Sequence, residues 1–381
     1  MDTEFDIFLA APPGLEEVLR AEAEAAGFAT PRAQPGGVET RGDWSEVWRA
    51  NLVLRGAGRV LVRLGGFHAV HLAQLDKRAH RFPFADFLPR DVAVKVEATC
   101  RRSKIYHAGA AIQRVEKALA DTIGARKPAA ADDDADTEDD ADALRLLVRI
   151  DDDLVTFSLD SSGAPLHRRG FKEAVGKAPM RETLAALFLR QCGYSGQEPV
   201  LDPMCGSGTF PIEAAEIALG LNPGRSRRFA FEVLPSFDPA AWAALKSATL
   251  PRDTNLRFLG FDRDAGAIRM SQANAARAGV TEITRFAHGS ISELPRPEGP
   301  PGLVIINPPY GARIGNKGPL YALHARLGEV LRAGFAGWRV GLVTSERSLA
   351  QATGLPFLPP GPPAAHGGLK VTLWRTNVLP G

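Results

Sequence analysis

Phe5, Ile7 and Leu9 fall on every second position and predict a strand. Leu15, Val18 and Leu19 then recur at helical spacing behind Pro12-Pro13, and Gly27 stands where a helix cap belongs. Trp44, Val47, Trp48 and Leu52 predict a second helix with both tryptophans in the core, and Val60, Val62 and Leu64 a strand after it. Val92, Val94 and Val96 alternate again. Ile105 to Leu119 reads as a helix with Ile112, Val115 and Leu119 on one face. Leu144–Ile150 and Val155–Leu159 read as paired strands around an acidic turn at Asp151–Asp153. This part of the chain is expected to form small α+β units.

From about Ala164 the pattern changes. Thr183 to Arg190 is helical, and strand-like and helical segments then alternate: Pro199–Asp202, Phe210–Leu219, Arg257–Asp262, Ala265–Arg277, Glu282–Phe286, Gly302–Ile306, Leu320–Leu331 and Trp338–Thr344. Leu355 to Pro363 reads as a Pro-rich connection, and Lys370 to Arg375 as a returning edge strand. Repeated strand–helix pairs predict a parallel sheet with helices on both faces, whose ligands bind outside the carboxyl ends of the strands.

Composition narrows the class. The 381 residues suffice for several cores, and 45% apolar with 24% charged residues excludes wholesale disorder. Three cysteines (Cys100, Cys192, Cys205) and eight histidines share no metal-ligand spacing, so neither a disulfide framework nor a metal site is expected. Met1-Asp2-Thr3-Glu4 has no signal-peptide character, and the charge-free stretch Ser348–Leu369 is too rich in Pro and Gly to span a bilayer. The expectation is a soluble, cytoplasmic protein with no membrane partner.

The net charge of +2 conceals an uneven distribution. Asp132 to Asp142 holds eight acidic side chains and no basic one, which reads as a solvated loop over 131–142. Two basic surpluses stand out. Lys95 to Lys127 carries eight Lys/Arg against three acids, and Pro165 to Arg181 five against one. Such clusters suit a phosphate backbone, and scattered surface charge accounts for them equally well.

Val200-Leu201-Asp202 feeds the turn Pro203-Met204-Cys205-Gly206-Ser207-Gly208-Thr209, after which a helix starts. Glycines there let the backbone approach a ligand, and the helix start presents unpaired N–H groups. The turn lacks the lysine of a P-loop and the third glycine of the dinucleotide pattern. An acid at Asp202 would repel a pyrophosphate and suit the ammonium of an amino acid. Asp262, closing the next strand, can accept both hydroxyls of a ribose. Together they describe S-adenosylmethionine better than NAD, although a Gly-Ser-Gly turn alone is equally an ordinary tight connection.

Val304-Ile305-Ile306 runs into Asn307-Pro308-Pro309-Tyr310. Two prolines stop the strand and stiffen the loop. The Asn307 side-chain oxygen and the Pro308 carbonyl can each accept one proton of an exocyclic NH2, while Tyr310 stacks on the flat group that bears it. Orientation of the nitrogen lone pair then suffices, without a strong base.

In these motifs the chain resembles the THUMP-containing, class I S-adenosylmethionine-dependent RNA methyltransferases, most closely the bacterial 23S rRNA guanine-N2 type. Phe5–Gly27, with Gly14-Leu15-Glu16-Glu17, is similar to the ferredoxin-like segment, and Ser103-Lys104-Ile105-Tyr106-His107 to the THUMP core. Leu166-His167-Arg168-Arg169-Gly170 and Met180-Arg181-Glu182-Thr183-Leu184 resemble the junction into the catalytic part. The resemblance implies an α/β protein: a ferredoxin-like segment over 1–65, a THUMP RNA-binding domain over 66–163 and a Rossmann-like methyltransferase domain over 164–381.

It further implies that Asp202, Cys205, Gly206, Ser207 and Gly208 line the donor site, with Pro203, Thr209 and Arg263 beside them. Asp262 would hold the ribose, and Asn307, Pro308, Pro309 and Tyr310 the amine. Ser290 stands where the family pattern has an Asp facing adenine, and its hydroxyl is a weaker acceptor. Arg101, Arg102, Lys104, Arg168, Arg169 and Lys172 would contact phosphates of structured RNA, either 23S rRNA or an assembly intermediate. The rivals are a tRNA guanine-N2 methyltransferase and a non-catalytic RNA-binding assembly factor. A DNA adenine or protein glutamine methyltransferase would leave the first 160 or so residues unexplained.

Overall fold

The computed structural model describes residues 4–128, 143–172, 180–309 and 318–381. The acidic run 131–142 and Tyr310 therefore lie outside the described residues. Two sheets of seven strands each carry the chain.

The first sheet begins with β1 (Phe5–Ala10), α1 (Glu16–Ala25), the hairpin β2 (Ala29–Gln34) and β3 (Gly37–Gly42), α2 (Trp44–Val53) and β4 (Val60–His68). It continues through α3 (Leu72–Ala79), β5 (Val94–Arg101), α4 (Ala108–Ile123), β6 (Leu144–Asp151) and β7 (Leu154–Asp160). Strand order is β2-β3-β1-β4-β7-β6-β5. The first four strands and two helices form a ferredoxin-like unit. The expected boundary between residues 65 and 66 falls inside β4, which pairs with β1 on one side and β7 on the other. Val60, Val62 and Leu64 are buried on that shared strand, so both units close on a continuous core. α4 starts three residues later than its apolar spacing predicts. Ile105 is buried ahead of it, and His107 Nδ1 caps the helix by accepting the Ala110 N–H at 3.0 Å.

The second sheet follows α5 (Glu182–Gln191): β8 (Val200–Asp202), α6 (Thr209–Leu219), α7 (Pro239–Ser247), β9 (Phe258–Asp262), α8 (Ala265–Ala278) and β10 (Thr284–His288). Then come β11 (Leu303–Ile306), α9 (Gly318–Gly334), β12 (Arg339–Thr344), α10 (Arg347–Ala352), β13 (Ala364–His366) and β14 (Leu369–Arg375). Strand order is β10-β9-β8-β11-β12-β14-β13. The first five of these are parallel, and β14 enters antiparallel between β12 and β13. The segment expected at the sheet edge is thus an internal strand, with β13 outside it. Val371 and Leu373 are buried, an alternation that does not distinguish an edge strand from an inner one.

Polar side chains clamp the two sheets together. Arg55, just after α2, reaches Glu213 (2.8 Å) and Glu216 (3.6 Å) on α6, both almost fully buried. Asn51 on α2 donates to Ser161 Oγ (2.9 Å) and accepts from Ser162 Oγ (2.7 Å) at the junction. Trp48 packs on Phe231 and Phe237 beside α7 and is in the core as its spacing predicts, whereas Trp44 is half-buried and packs against the core through Phe5. No helix among the described residues is long and apolar enough to cross a membrane.

Candidate active site

Parallel strands deliver their carboxyl ends to one edge. Asp202 lies opposite Gly260, Asp262 opposite His288, and Leu201 opposite Val304, three residues before Asn307. The order reverses direction between β8 and β11, the switch point at which such sheets leave a crevice.

The turn between β8 and α6 is held by backbone bonds. Cys205 N–H donates to the Phe261 carbonyl (2.9 Å) and Gly208 N–H to the Cys205 carbonyl (2.8 Å). Gly206 (φ +53°) and Gly208 (φ +82°) adopt left-handed backbone that only glycine enters readily. A Cβ on Gly208 would come within 3.0 Å of Ser271, so α8 packs directly on the turn. A Cβ on Gly206 would meet nothing within 4 Å. There the backbone faces open space, a cradle that a side chain would fill.

Asp262 joins the turn to β9. One carboxylate oxygen accepts the Gly206 N–H (2.9 Å) and the other the Asp264 N–H (2.9 Å). These amides set the direction of the carboxylate, and each oxygen keeps acceptor capacity for a hydroxyl. Asp202 is buried and accepts the Met204 N–H at 3.0 Å. Burial, reinforced by the charge of Asp262, pushes its carboxyl up to about 8. A cation beside it would restore the charge, as the ammonium of an amino acid does. Burial likewise raises the Cys205 thiol well above its usual range, so its part is close packing rather than nucleophilic attack.

Periodicity alone did not single out two residues of α8. Ser271 Oγ donates to the Gly206 carbonyl (2.7 Å), and Asn274 Nδ2 to the Ser207 carbonyl (3.0 Å). Both side chains are fully buried. A polar residue on the inward stripe of a predicted helix is the signal that could have found them. Arg263 is exposed, with its carbonyl 3.0 Å from the His288 ring. Ser290 is also exposed, and its hydroxyl lies 3.3 Å from Glu293, to which it donates. Its lone pairs stay available as acceptors.

Beyond β11, Pro308 is buried, Pro309 exposed and Asn307 half-buried. Asn307 Oδ1 is shut off from solvent and has no hydrogen-bond partner among the described residues. An unpaired buried amide oxygen costs about 1–3 kcal/mol, a cost that an arriving N–H group removes.

The basic residues separate into two sets. Arg169 is 2% exposed, bonded to the Arg55 carbonyl (3.0 Å) and Glu213 (3.2 Å). Lys172 reaches the Met180 carbonyl (2.8 Å), Thr209 Oγ1 (2.9 Å) and Glu182 (3.1 Å). Both were expected on RNA phosphates. Buried ion pairs occupy them instead, and Lys172 ties the junction to the first residue of α6. Arg168 remains at the surface, as do Arg101 at the end of β5 and Arg102 and Lys104 on the loop after it.

The strand order, the glycine turn and the carboxylates at one edge define a class I, S-adenosylmethionine-dependent methyltransferase. In comparison with known proteins, residues 6–61 match the RlmL ferredoxin-like domain, and residues 169–356 the family described as RMKL-like, methyltransferase domain. A "predicted N6-adenine-specific DNA methylase" from Listeria monocytogenes is 28% identical, with TM-score 0.85 over 99% of this chain and 97% of that one. A "possible methylase" from Clostridium difficile is 27% identical, with TM-score 0.85 over 100% and 98%. The structure of SMU.472 complexed with SAH is 24% identical and shares the fold, with TM-score 0.85 over 99% of each chain.

Proposed function

We propose that the protein transfers a methyl group from S-adenosylmethionine to the exocyclic amine of a guanosine in 23S rRNA. The observation that carries the reading is the unpaired, buried Asn307 Oδ1 at the strand edge that also presents Asp202 and Asp262. When bound, S-adenosylmethionine supplies an electrophilic methyl group on a sulfonium. Asp202 would take the ammonium of its amino-acid part, Asp262 its ribose and the Gly206 backbone the space between. Asn307 Oδ1 and the Pro308 carbonyl each accept one amine proton, which leaves the nitrogen lone pair free and aimed. Tyr310 would stack on the base. The RlmL-like amino-terminal domain, the expected THUMP domain over 66–163 and the exposed cations at Arg101, Lys104 and Arg168 favour structured RNA.

An exocyclic adenine amine suits the same acceptors, and the Listeria relative is described as a "predicted N6-adenine-specific DNA methylase". Product analysis separates the readings. The purified protein, labelled donor and separate samples of unmodified 23S rRNA, tRNA and DNA are incubated, then digested to nucleosides. N2-methylguanosine in the 23S sample is expected. N2-methylguanosine confined to tRNA, or N6-methyladenine in DNA, would replace the substrate proposed here, and no product together with no measurable donor binding would favour the assembly factor.

A further inference from the structure

The loop from Arg102 to His107, between β5 and α4, is pinned from several directions. Arg102 takes a left-handed backbone (φ 44°), and its guanidinium pairs with Asp151 (2.9 Å) and Asp152 (3.1 Å) on the β6–β7 turn. Ser103 Oγ donates to the Arg101 carbonyl (2.6 Å) and accepts the Asp153 N–H (3.0 Å). Lys104 N–H donates to Asp153 Oδ1 at 2.7 Å. Ile105 is buried, and His107 caps α4.

Between those last two anchors Tyr106 stands 84% exposed, the most exposed of the large apolar side chains described. Among the described residues no ring or guanidinium packs on it. A large ring in water on a loop held this firmly buries nothing for the fold. It is already in place for a partner, so stacking on it sacrifices little freedom. Arg101, at the end of β5, and Lys104, on the loop, extend into solvent, while the charge of Arg102 is matched by the two aspartates.

A flat ring beside exposed cations fits an unpaired nucleotide, whose base stacks while its phosphates meet the cations. A duplex offers the phosphates but keeps its base faces covered. We infer that Tyr106 is a base-stacking residue for an unpaired nucleotide of the RNA, with Arg101 and Lys104 on the flanking phosphates. The inference rests on the RNA substrate proposed above and adds what part of that RNA the loop reads.

The test compares wild type, Tyr106→Ala and Tyr106→Phe on a fluorescent hairpin RNA with an unpaired tail and on the same hairpin made blunt. Binding is measured across a salt series. Tyr106→Ala is expected to weaken binding of the tailed RNA about tenfold or more. It should leave blunt-hairpin affinity, the salt slope and the melting temperature unchanged, because the ring supports no packing. Tyr106→Phe should bind like wild type, since the π face does the work. Equal affinity of Tyr106→Ala and wild type for the tailed RNA, or an equal loss on the blunt hairpin, would overturn the inference. If wild type binds neither RNA, the RNA substrate itself is wrong and the inference fails with it, an outcome distinct from the other two.

Discussion

The two sheets have the same number of strands and use their ends differently. In the carboxyl-terminal sheet the parallel strands β8, β9, β10 and β11 all finish on one edge, which gathers Asp202, Asp262, Ser290 and Asn307 although about a hundred residues separate the first from the last. In the amino-terminal sheet antiparallel neighbours finish on opposite edges and disperse whatever follows them. The described exception is β5 and β6, which run parallel with Arg101 opposite Asp151. There the Arg102–His107 loop and the Asp151–Asp153 turn leave the same edge and brace each other. Strand direction, more than strand count, decides where side chains from distant parts of a chain meet.

The clearest way to break the comparison is to cut the clamp between the sheets. Arg55→Ala would leave Glu213 and Glu216 buried with fewer cations, at a cost of about 3–5 kcal/mol read by urea unfolding. A loss below 1 kcal/mol would mean that the ion pairs contribute little and apolar contact joins the sheets. Asn307→Ala comes next. Methyl transfer is expected to fall on the order of 10²–10³-fold with RNA affinity retained, measured by single-turnover incorporation and filter binding. Equal loss of both would count against an orienting role.

Asp202 sharpens the same point through pH. With its carboxyl at about 8, cation binding below that pH must release a proton. Donor affinity should therefore rise about tenfold per pH unit from pH 6 toward pH 8. It should fall again at higher pH as the donor's own α-amino group, near 7.7–8.0 when free, loses its proton. Calorimetry in buffers of different ionisation enthalpy measures the proton count, and Asp202→Asn should remove the acidic limb. A flat profile in wild type would place the ammonium elsewhere. The smallest effect belongs to the other sheet. Arg101→Ala with Lys104→Ala should lower the salt slope of RNA binding by about one per cation in contact, and an unchanged slope would make them ordinary surface charge.

Much of this was legible in one dimension. Alternation located β1, β6 and β7, helical spacing located α1 and α2, and a glycine turn behind Val200-Leu201-Asp202 marked the crevice before any strand was paired. The misreadings involve burial by distant partners. Arg169 and Lys172 look like a cationic surface in a basic stretch, yet Arg169 meets Glu213, 44 residues away, and Lys172 meets Thr209, 37 away. Lys370 to Arg375 alternates like an edge strand, but β13 covers its outer side.

Local periodicity, turn chemistry and the order of motifs follow from neighbours along the chain, and those the sequence alone determined: an α+β region followed by an α/β region, the glycine turn and the Asn-Pro-Pro stop. The seam on β4, the buried fate of Arg169 and Lys172, the raised carboxyl of Asp202 and the unpaired oxygen of Asn307 were decided by tertiary structure. Each depends on which atoms exclude water from a group, and those atoms come from elsewhere in the chain.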